Sequence, residues 1–364
     1  MKILVINPGS TSTKLSVFEN EREICSDRID HSAADLKDFH AIYDQYPYRL
    51  SLVRQFLARQ RLCPADFAAV VGRGGLVRPI PCGTYRVNAQ MLKDLRAGVE
   101  GHHASNLGPA LANGIAEEAG IPAYIVDPIT VDELEPVARI TGMPDIMRQS
   151  RLHTLNQKAV ARKVAKQLGK RYEDMNFVVC HLGTGTSVAA HKKGRVVDMC
   201  DARGEGPMSC DRCGGVNTYL ALERARRCGS GSQDEFIRSM YQQGGLYAHL
   251  GTKDVREIER RIAAGDAHAK LVLDAMIYQC AKEIGAQAAA LSGEVDRIIL
   301  TGGIAWDTGL MAALTRMVQF IAPVVVMPGE EEMEALALGA LRVLTGQETE
   351  KVYAPALAGE GAEA

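Results

Sequence analysis

A duplicated α/β protein, two βββαβαβ domains in tandem, is the fold class the sequence predicts. Two hairpins of one design mark the two halves: Met1 to Glu19 turns through Asn7-Pro8-Gly9-Ser10-Thr11-Ser12-Thr13-Lys14, and Asn176 to His191 turns through His181-Leu182-Gly183-Thr184-Gly185-Thr186-Ser187. In each, a run of apolar and β-branched residues enters a turn rich in Gly, Ser and Thr and leaves again as a strand. The order of elements after each hairpin is the same, and 364 residues suffice for two cores.

In the first half the strands run Lys2 to Ile6, Leu15 to Glu19 and Arg22 to Ile29. A helical region through Leu62 and a strand from Phe67 to Val71 follow, then a helix from Gly108 to Ala119 and a strand from Ala123 to Val126 ending at Asp127. The second half has strands at Phe177 to Cys180, Thr186 to His191 and Arg195 to Met199, then a long helical section. The strand Arg297 to Leu300, a helix near Leu310 to Phe320 and the strand Pro323 to Met327 complete it. Between the halves, Gln149 to Gly169 reads as one helix, with Thr154 as its N-cap, Gly169 as its stop and a hinge as its role. A last helix, Glu331 to Thr345, opens with acids that suit a helix N-terminus. The Ala, Gly, Pro and Glu composition after Tyr353 predicts disorder.

The net charge of -2 gives no electrostatic reason to expect nucleic acid or an anionic membrane as partner. The amino terminus offers too short an apolar run for a signal peptide, and no stretch approaches a membrane span, so a cytoplasmic protein is expected. Nine scattered cysteines fit a reducing compartment. Cys210 and Cys213 form a C-x-x-C, but no second pair completes a zinc site, and free thiols are the expectation.

The hairpins hold backbone N–H groups and hydroxyls toward a concave site, which suits phosphate oxygens. No P-loop, kinase signature set or dinucleotide fingerprint is present, so a phosphate site built from hairpins remains. Arg73 in Gly72-Arg73-Gly74-Gly75 and Arg212 before Cys213-Gly214-Gly215 form a second group, because a guanidinium fork matches carboxylate or phosphate bidentately. Among His102, His103, His153 and His181, position favours His153 at the start of the inter-domain helix and His181 in the second hairpin. Gly302-Gly303-Ile304 follows a strand, so a flat ring could pack on exposed backbone there. Asp254, two residues before Arg256, could accept ribose hydroxyls. The triplet Glu330-Glu331-Glu332 reads equally as helix capping or as a source of a Mg²⁺ ligand.

Taken together, Asn7 to Lys14, Val71 to Gly75, Gly101-His102-His103-Ala104-Ser105-Asn106-Leu107-Gly108, His153 to Lys158, the hairpin at His181, Gly204-Glu205-Gly206-Pro207 and Pro328 to Leu336 resemble the acetate and butyrate kinase family, most closely its butyrate kinase branch. The likeness runs in order from Met1 to about Gly346. It implies the actin-like, ribonuclease H-like fold with ATP in a cleft between two domains: 1–150 with about 333–353 holding the acid and phosphoryl site, 151–332 holding the nucleotide, and 354–364 as tail. It implies reversible phosphoryl transfer between ATP and a short-chain carboxylate, giving an acyl phosphate and ADP, by a homo-oligomer.

The resemblance also implies residue roles. Asn7 and Glu331, open by one position to Glu330 or Glu332, are associated with Mg²⁺; Ser10, Ser12 and Lys14 serve the first phosphate loop. Arg73 and Arg212 bind the transferring phosphoryl and the acid, and His153 stabilises the transition state. Asp127 matches an acidic residue ending the first domain's last core strand. The residues themselves, apart from the resemblance, assign His181, Gly183, Thr184 and Gly185, with Asp254, Arg256, Gly302, Gly303 and Ile304, to the nucleotide. Cys210-Asp211 and Cys213 depart from the family pattern around Arg212, and a reactive thiol at Cys213 is one expectation. Acetate, propionate and branched acids stay open as acceptors. A sugar or polyol kinase using Asp127 as base, or a nucleotide-switched actin-like protein, are the rival readings.

Overall fold

The computed structural model describes residues 1–227 and 233–354; Cys228 and residues 355–364 of the expected tail lie outside them. Two compact units divide the chain: residues 1–132 with the segment from Glu331 onward, and Glu133–Glu330. The first unit carries β1 (Lys2–Pro8), β2 (Ser12–Glu19), β3 (Arg22–Asp30), β4 (Ala69–Gly72), β5 (Thr84–Arg86) and β6 (Ala123–Val126). The second carries β7 (Asn176–Leu182), β8 (Thr186–Lys192), β9 (Arg195–Met199), β10 (Arg297–Gly302) and β11 (Val324–Pro328), and β12 (Lys351–Val352) returns to the first.

Sheet order is β12-β5-β6-β4-β1-β2-β3 in the first unit and β11-β10-β7-β8-β9 in the second. In both, two antiparallel pairings build the hairpin and its third strand, and two parallel pairings extend the sheet from the hairpin's first strand. The duplication is therefore literal: β3-β2-β1-β4-β6 has the same order and directions as β9-β8-β7-β10-β11. The strands β1 and β7 are buried nearly throughout because parallel neighbours and helices cover them, which is why they read as unbroken apolar runs. At the edge, β3 alternates between exposed and half-buried residues along most of its length.

Strands β5 and β12 are absent from the sequence reading, since three and two residues are too few for a period to show. They seat the chain's return. The Tyr353 hydroxyl donates to Asp94 at 2.9 Å and accepts from the Arg78 backbone at 3.2 Å. Helix Glu332–Leu344 packs on the first sheet through Gly339, where an added Cβ would lie 2.4 Å from Val126.

The inter-domain helix is corrected in two ways. It spans Thr154–Gln167, with His153 rather than Thr154 at the N-cap, and Gly169 follows in the left-handed region as expected. Its apolar side, Val160, Ala161, Val164 and Ala165, packs with Phe177, Val179 and Ile299, so it is core of the second unit rather than a hinge. The expected boundary at 150 moves to 132/133 because the intervening segment is tied to the second sheet. Glu135 N–H bonds Val197 O at 2.9 Å, and Arg148 Nη1 meets Asp198 at 2.8 Å. Lys158, fully buried, meets Glu133 at 2.8 Å. Removing one partner of such a buried pair typically costs about 3–5 kcal/mol.

Candidate active site

In the first unit the β1–β2 hairpin is open. Gly9 N–H bonds Ser12 O at 2.7 Å, and Ser10, Thr11 and Lys14 are exposed while Ser12 is half-buried. Its base is braced by the fully buried Arg49, whose guanidinium donates to Thr13 Oγ1 at 2.9 Å and to Gln45 Oε1 at 2.8 Å. At the end of β1, Asn7 Nδ2 donates to Glu332 Oε2 at 2.9 Å. Arg73, leaving β4, forks onto the same carboxylate, Nη1 to Oε2 at 2.9 Å and Nη2 to Oε1 at 2.8 Å, with Asn7 Oδ1 3.4 Å from Nη1. The carboxylate that meets Asn7 is thus that of Glu332, first residue of its helix, while Glu331 stands at the N-cap position.

The glycines around Arg73 serve packing rather than ligand approach. A Cβ on Gly72 would lie 2.2 Å from Gly108 O, one on Gly108 2.2 Å from Arg73 O, and one on Gly75 2.6 Å from Asn106. Two motifs distant in sequence interlock backbone to backbone, and this fixes where Arg73 emerges. His103 lies close enough that burial first, and then the Arg73 charge, hold its imidazole below the usual range.

In the second unit the β7–β8 hairpin is enclosed. Gly183 N–H bonds Gly185 O at 3.1 Å, and His181, Gly183 and Gly185 are buried, leaving Thr184 exposed. Arg212 accounts for part of this: a Cβ on Gly185 would lie 2.6 Å from its Nη1 and 2.7 Å from its Cζ. The same Nη1 donates to Ala202 O at 2.8 Å. His153 and His181 stack, ring centroids 3.9 Å apart and 11° from parallel. His153 Nδ1 meets Ser187 Oγ at 2.8 Å, and His181 Nδ1 meets Asn156 Oδ1 at 2.8 Å. On its other side His181 Nε2 stands 3.2 Å from Glu330 Oε1, outside hydrogen-bond alignment.

The remaining expected residues sit apart from these clusters or do other work. Asp127 is buried, at φ +37°, and its Oδ1 accepts Gly83 N–H at 2.8 Å, bracing the β5–β6 pairing. Gly302 is buried, and a Cβ there would lie 2.3 Å from Leu182 O; the close approach is to the hairpin strand, while Gly303 stays exposed and Ile304 half-buried. Asp254 caps helix Val255–Ala263 and pairs with Arg256 at 3.0 Å, and its hydrogen bond from that guanidinium lowers its carboxyl below the usual range. The thiols beside Arg212 do not match a reactive nucleophile. Burial pushes Cys213 up, and burial then the Asp211 charge push Cys210 up to about 11, so neither favours thiolate.

Asn156, Gln157, Ser187 and His191 are candidate site residues that the sequence reading missed, while Glu332 belongs to the triplet it had left open. A signal existed for two of them. Asn156-Gln157-Lys158 are three consecutive large polar residues inside a helix, 3%, 0% and 0% exposed, and buried polar groups of this kind require partners. Ser187 and His191 lie on a buried strand and carry no sequence mark.

The signature of the Acetokinase family matches residues 144–322. Butyrate kinase 2 of Clostridium acetobutylicum is 48% identical over 97% of this chain and 99% of its own length. Among solved structures, acetate kinase of Porphyromonas gingivalis superposes with a TM-score of 0.78 over 94% of this chain and all of its own, at 18% identity. A propionate kinase from Francisella tularensis gives 0.72 over 93% and 98%, also at 18% identity. These structures establish the duplicated actin-like fold. With near-half identity along the whole chain to a curated relative, and the family signature across most of the second unit, the chain belongs to the acetokinase family.

Proposed function

We propose that the protein transfers the γ-phosphoryl group of ATP to a short-chain carboxylic acid, butanoate foremost, yielding an acyl phosphate and ADP in a reversible reaction. The full-length relation to a butyrate kinase carries this reading. A carboxylate is ionised at neutral pH and needs no general base. Asp127, the base a hydroxyl acceptor would use, is buried and committed to Gly83, which favours the carboxylate over a sugar or polyol.

The chemistry then reduces to positioning and charge stabilisation. Arg73 and Arg212 supply forks for phosphoryl and carboxylate oxygens, and His153 supplies an N–H donor. Ser10, Ser12 and Lys14 of the first hairpin and Gly183 to Gly185 of the second are the proposed phosphate-facing turns. Mg²⁺ fits the first unit: the Asn7 amide oxygen and the Glu332 carboxylate are hard oxygen donors, and this ion takes one or two carboxylates plus phosphate oxygens. When bound it neutralises charge on the phosphates. Arg73 holds both Glu332 oxygens in this structure, so a metal ion on this carboxylate would compete with the Arg73 fork.

A homo-oligomer in the cytoplasm completes the proposal. Helix Thr218–Arg227 buries none of its residues and exposes Tyr219, Leu220 and Leu222, a face suited to a second copy. No helix among the described residues is long and apolar enough to cross a membrane, and none of their eight cysteines is joined in a disulfide.

Hydroxylamine trapping with ATP, Mg²⁺ and acids from acetate to valerate and isovalerate tests the reading. Hydroxamate peaking at four carbons is the expected result. A branched optimum renames the acceptor, since one methylene is worth only ~1–3 kcal/mol. No hydroxamate from protein that still binds ATP sinks the carboxylate reading.

A further inference from the structure

From His153 a chain of buried hydrogen bonds runs through Ser187 and Gln157 to His191 and Tyr172, and its direction can be read from atoms that have no choice. Gln157 Nε2 lies 3.2 Å from the Ser187 backbone carbonyl and 2.9 Å from Ser187 Oγ. A carbonyl oxygen only accepts, so the amide nitrogen must face it and the amide oxygen must point the other way. There Gln157 Oε1 meets His191 Nε2 at 3.0 Å. That nitrogen therefore carries a proton. The neutral His191 ring then accepts at Nδ1 from the Tyr172 hydroxyl, 2.7 Å away. Neutrality is what the surroundings enforce: His191 is fully buried, and desolvation, followed by the Lys158 and Arg162 charges, holds it well below the ordinary imidazole range.

The chain ends on His153. Ser187 Oγ accepts from Gln157 and, at 3.5 Å, from the His153 backbone N–H, so both lone pairs are used. Ser187 is fully buried, and the acceptor the structure gives its hydroxyl proton is His153 Nδ1, at 2.8 Å. A hydroxyl that donates to Nδ1 requires that nitrogen to be bare, which in a neutral ring leaves the proton on Nε2.

We infer that Ser187 and Gln157, anchored by His191 and Tyr172, are positioning residues that lock His153 in the neutral Nε2–H tautomer and aim it as a hydrogen-bond donor. The stacked partner is set oppositely. Asn156 turns its amide nitrogen toward Gly329 O at 3.5 Å, so its oxygen accepts from His181 Nδ1–H. Two parallel imidazoles thus sit 3.9 Å apart, with Nδ1 bare in His153 and protonated in His181. The arrangement suits a site that must offer an N–H to phosphoryl oxygens without taking a proton from the medium. This inference rests on the proposed role of His153 in phosphoryl transfer.

The test is ¹⁵N-histidine NMR on the full-length protein at pH 7.5, with the His153 signals assigned by their loss in His153→Asn. A protonated Nε2 with a bare, hydrogen-bonded Nδ1 is the expected pattern; an Nδ1–H or doubly protonated ring overturns the inference. Ser187→Ala should move Nδ1 to an unbonded position and lower kcat by roughly 10²-fold. KM for ATP and for the acid should stay within about twofold, and Ser187→Thr should restore most of the rate. An unchanged kcat, or a loss confined to KM, overturns it. Should Ser187→Ala fail to fold, Gln157→Met removes the amide that orients the hydroxyl. A mixed His153 tautomer with reduced kcat then supports the lock, and an unaltered tautomer and rate overturn it. The underlying role fails separately: full activity in His153→Ala would remove His153 from the reaction whatever its tautomer.

Discussion

The two hairpins share a strand pattern and a turn chemistry, yet the first is open and the second is filled. Ser10, Thr11 and Lys14 stand exposed at the tip of one, whereas His181, Gly183 and Gly185 are buried in the other. The first unit neutralises its Arg73 with the Glu332 carboxylate and leaves the turn clear. The second packs the Arg212 guanidinium onto its turn and backs the hairpin with a polar network through His153, Ser187, Gln157 and His191. Duplication thus preserved the backbone and changed what leans on it. An open turn suits a ligand that arrives and leaves, and a filled one suits groups that must be held to within tenths of an ångström.

The sharpest way to break this contrast is at the arginines. Arg212→Ala should lower kcat by ~10² or more, the scale for losing a charge-stabilising donor. A loss under about tenfold in steady-state assays would leave Arg212 as filling only. At the open end, Glu332→Gln should raise the Mg²⁺ concentration for half-maximal rate by about tenfold or more, while Glu331→Gln changes it little. Equal shifts in the two variants would return the assignment to the triplet as a whole.

The glycines sharpen the contrast directly. Gly185→Ala sets a methyl 2.6 Å from the Arg212 guanidinium, whereas on Gly9 the nearest atom is Ser12 O at 3.4 Å. Gly185→Ala should therefore reproduce much of the Arg212→Ala defect and Gly9→Ala should be mild. Similar kcat in both would mean that the second hairpin is looser than described.

The smallest expected effect concerns acid. His191 and His31 both titrate below the ordinary value of 6.5 in the folded protein, chiefly through burial. Above pH 6.5 both states are neutral there; below it the unfolded chain takes up a proton that the folded chain refuses. Stability therefore falls with pH, by up to about 1.4 kcal/mol per unit for each such group. Thermal midpoints measured from pH 7.5 to 5.0 should decline, and His191→Gln should flatten the slope more than His31→Gln, since only His191 is held well below its usual range. The reverse order would show that the second unit's network is not the more tightly enclosed one.

The amino-acid sequence by itself determined the duplicated sheet, because apolar runs in β1 and β7 and glycine-rich turns are local signals that need no partner to be read. It also marked Arg73, Arg212, His153 and Asn7 as candidates, since charged or polar residues in loops and at element ends, in a distinctive order, carry the family's likeness. Tertiary structure decided the rest. That Glu332 meets Asn7 depends on a helix register reaching across 325 residues of chain. That Gly72, Gly75 and Gly302 are glycine for the sake of backbone neighbours, and that Ser187 holds His153, depends on packing between elements far apart in sequence. A turn or an apolar run is a property of adjacent residues, but the direction of a hydrogen bond is fixed only when every donor and acceptor around it has been brought into place.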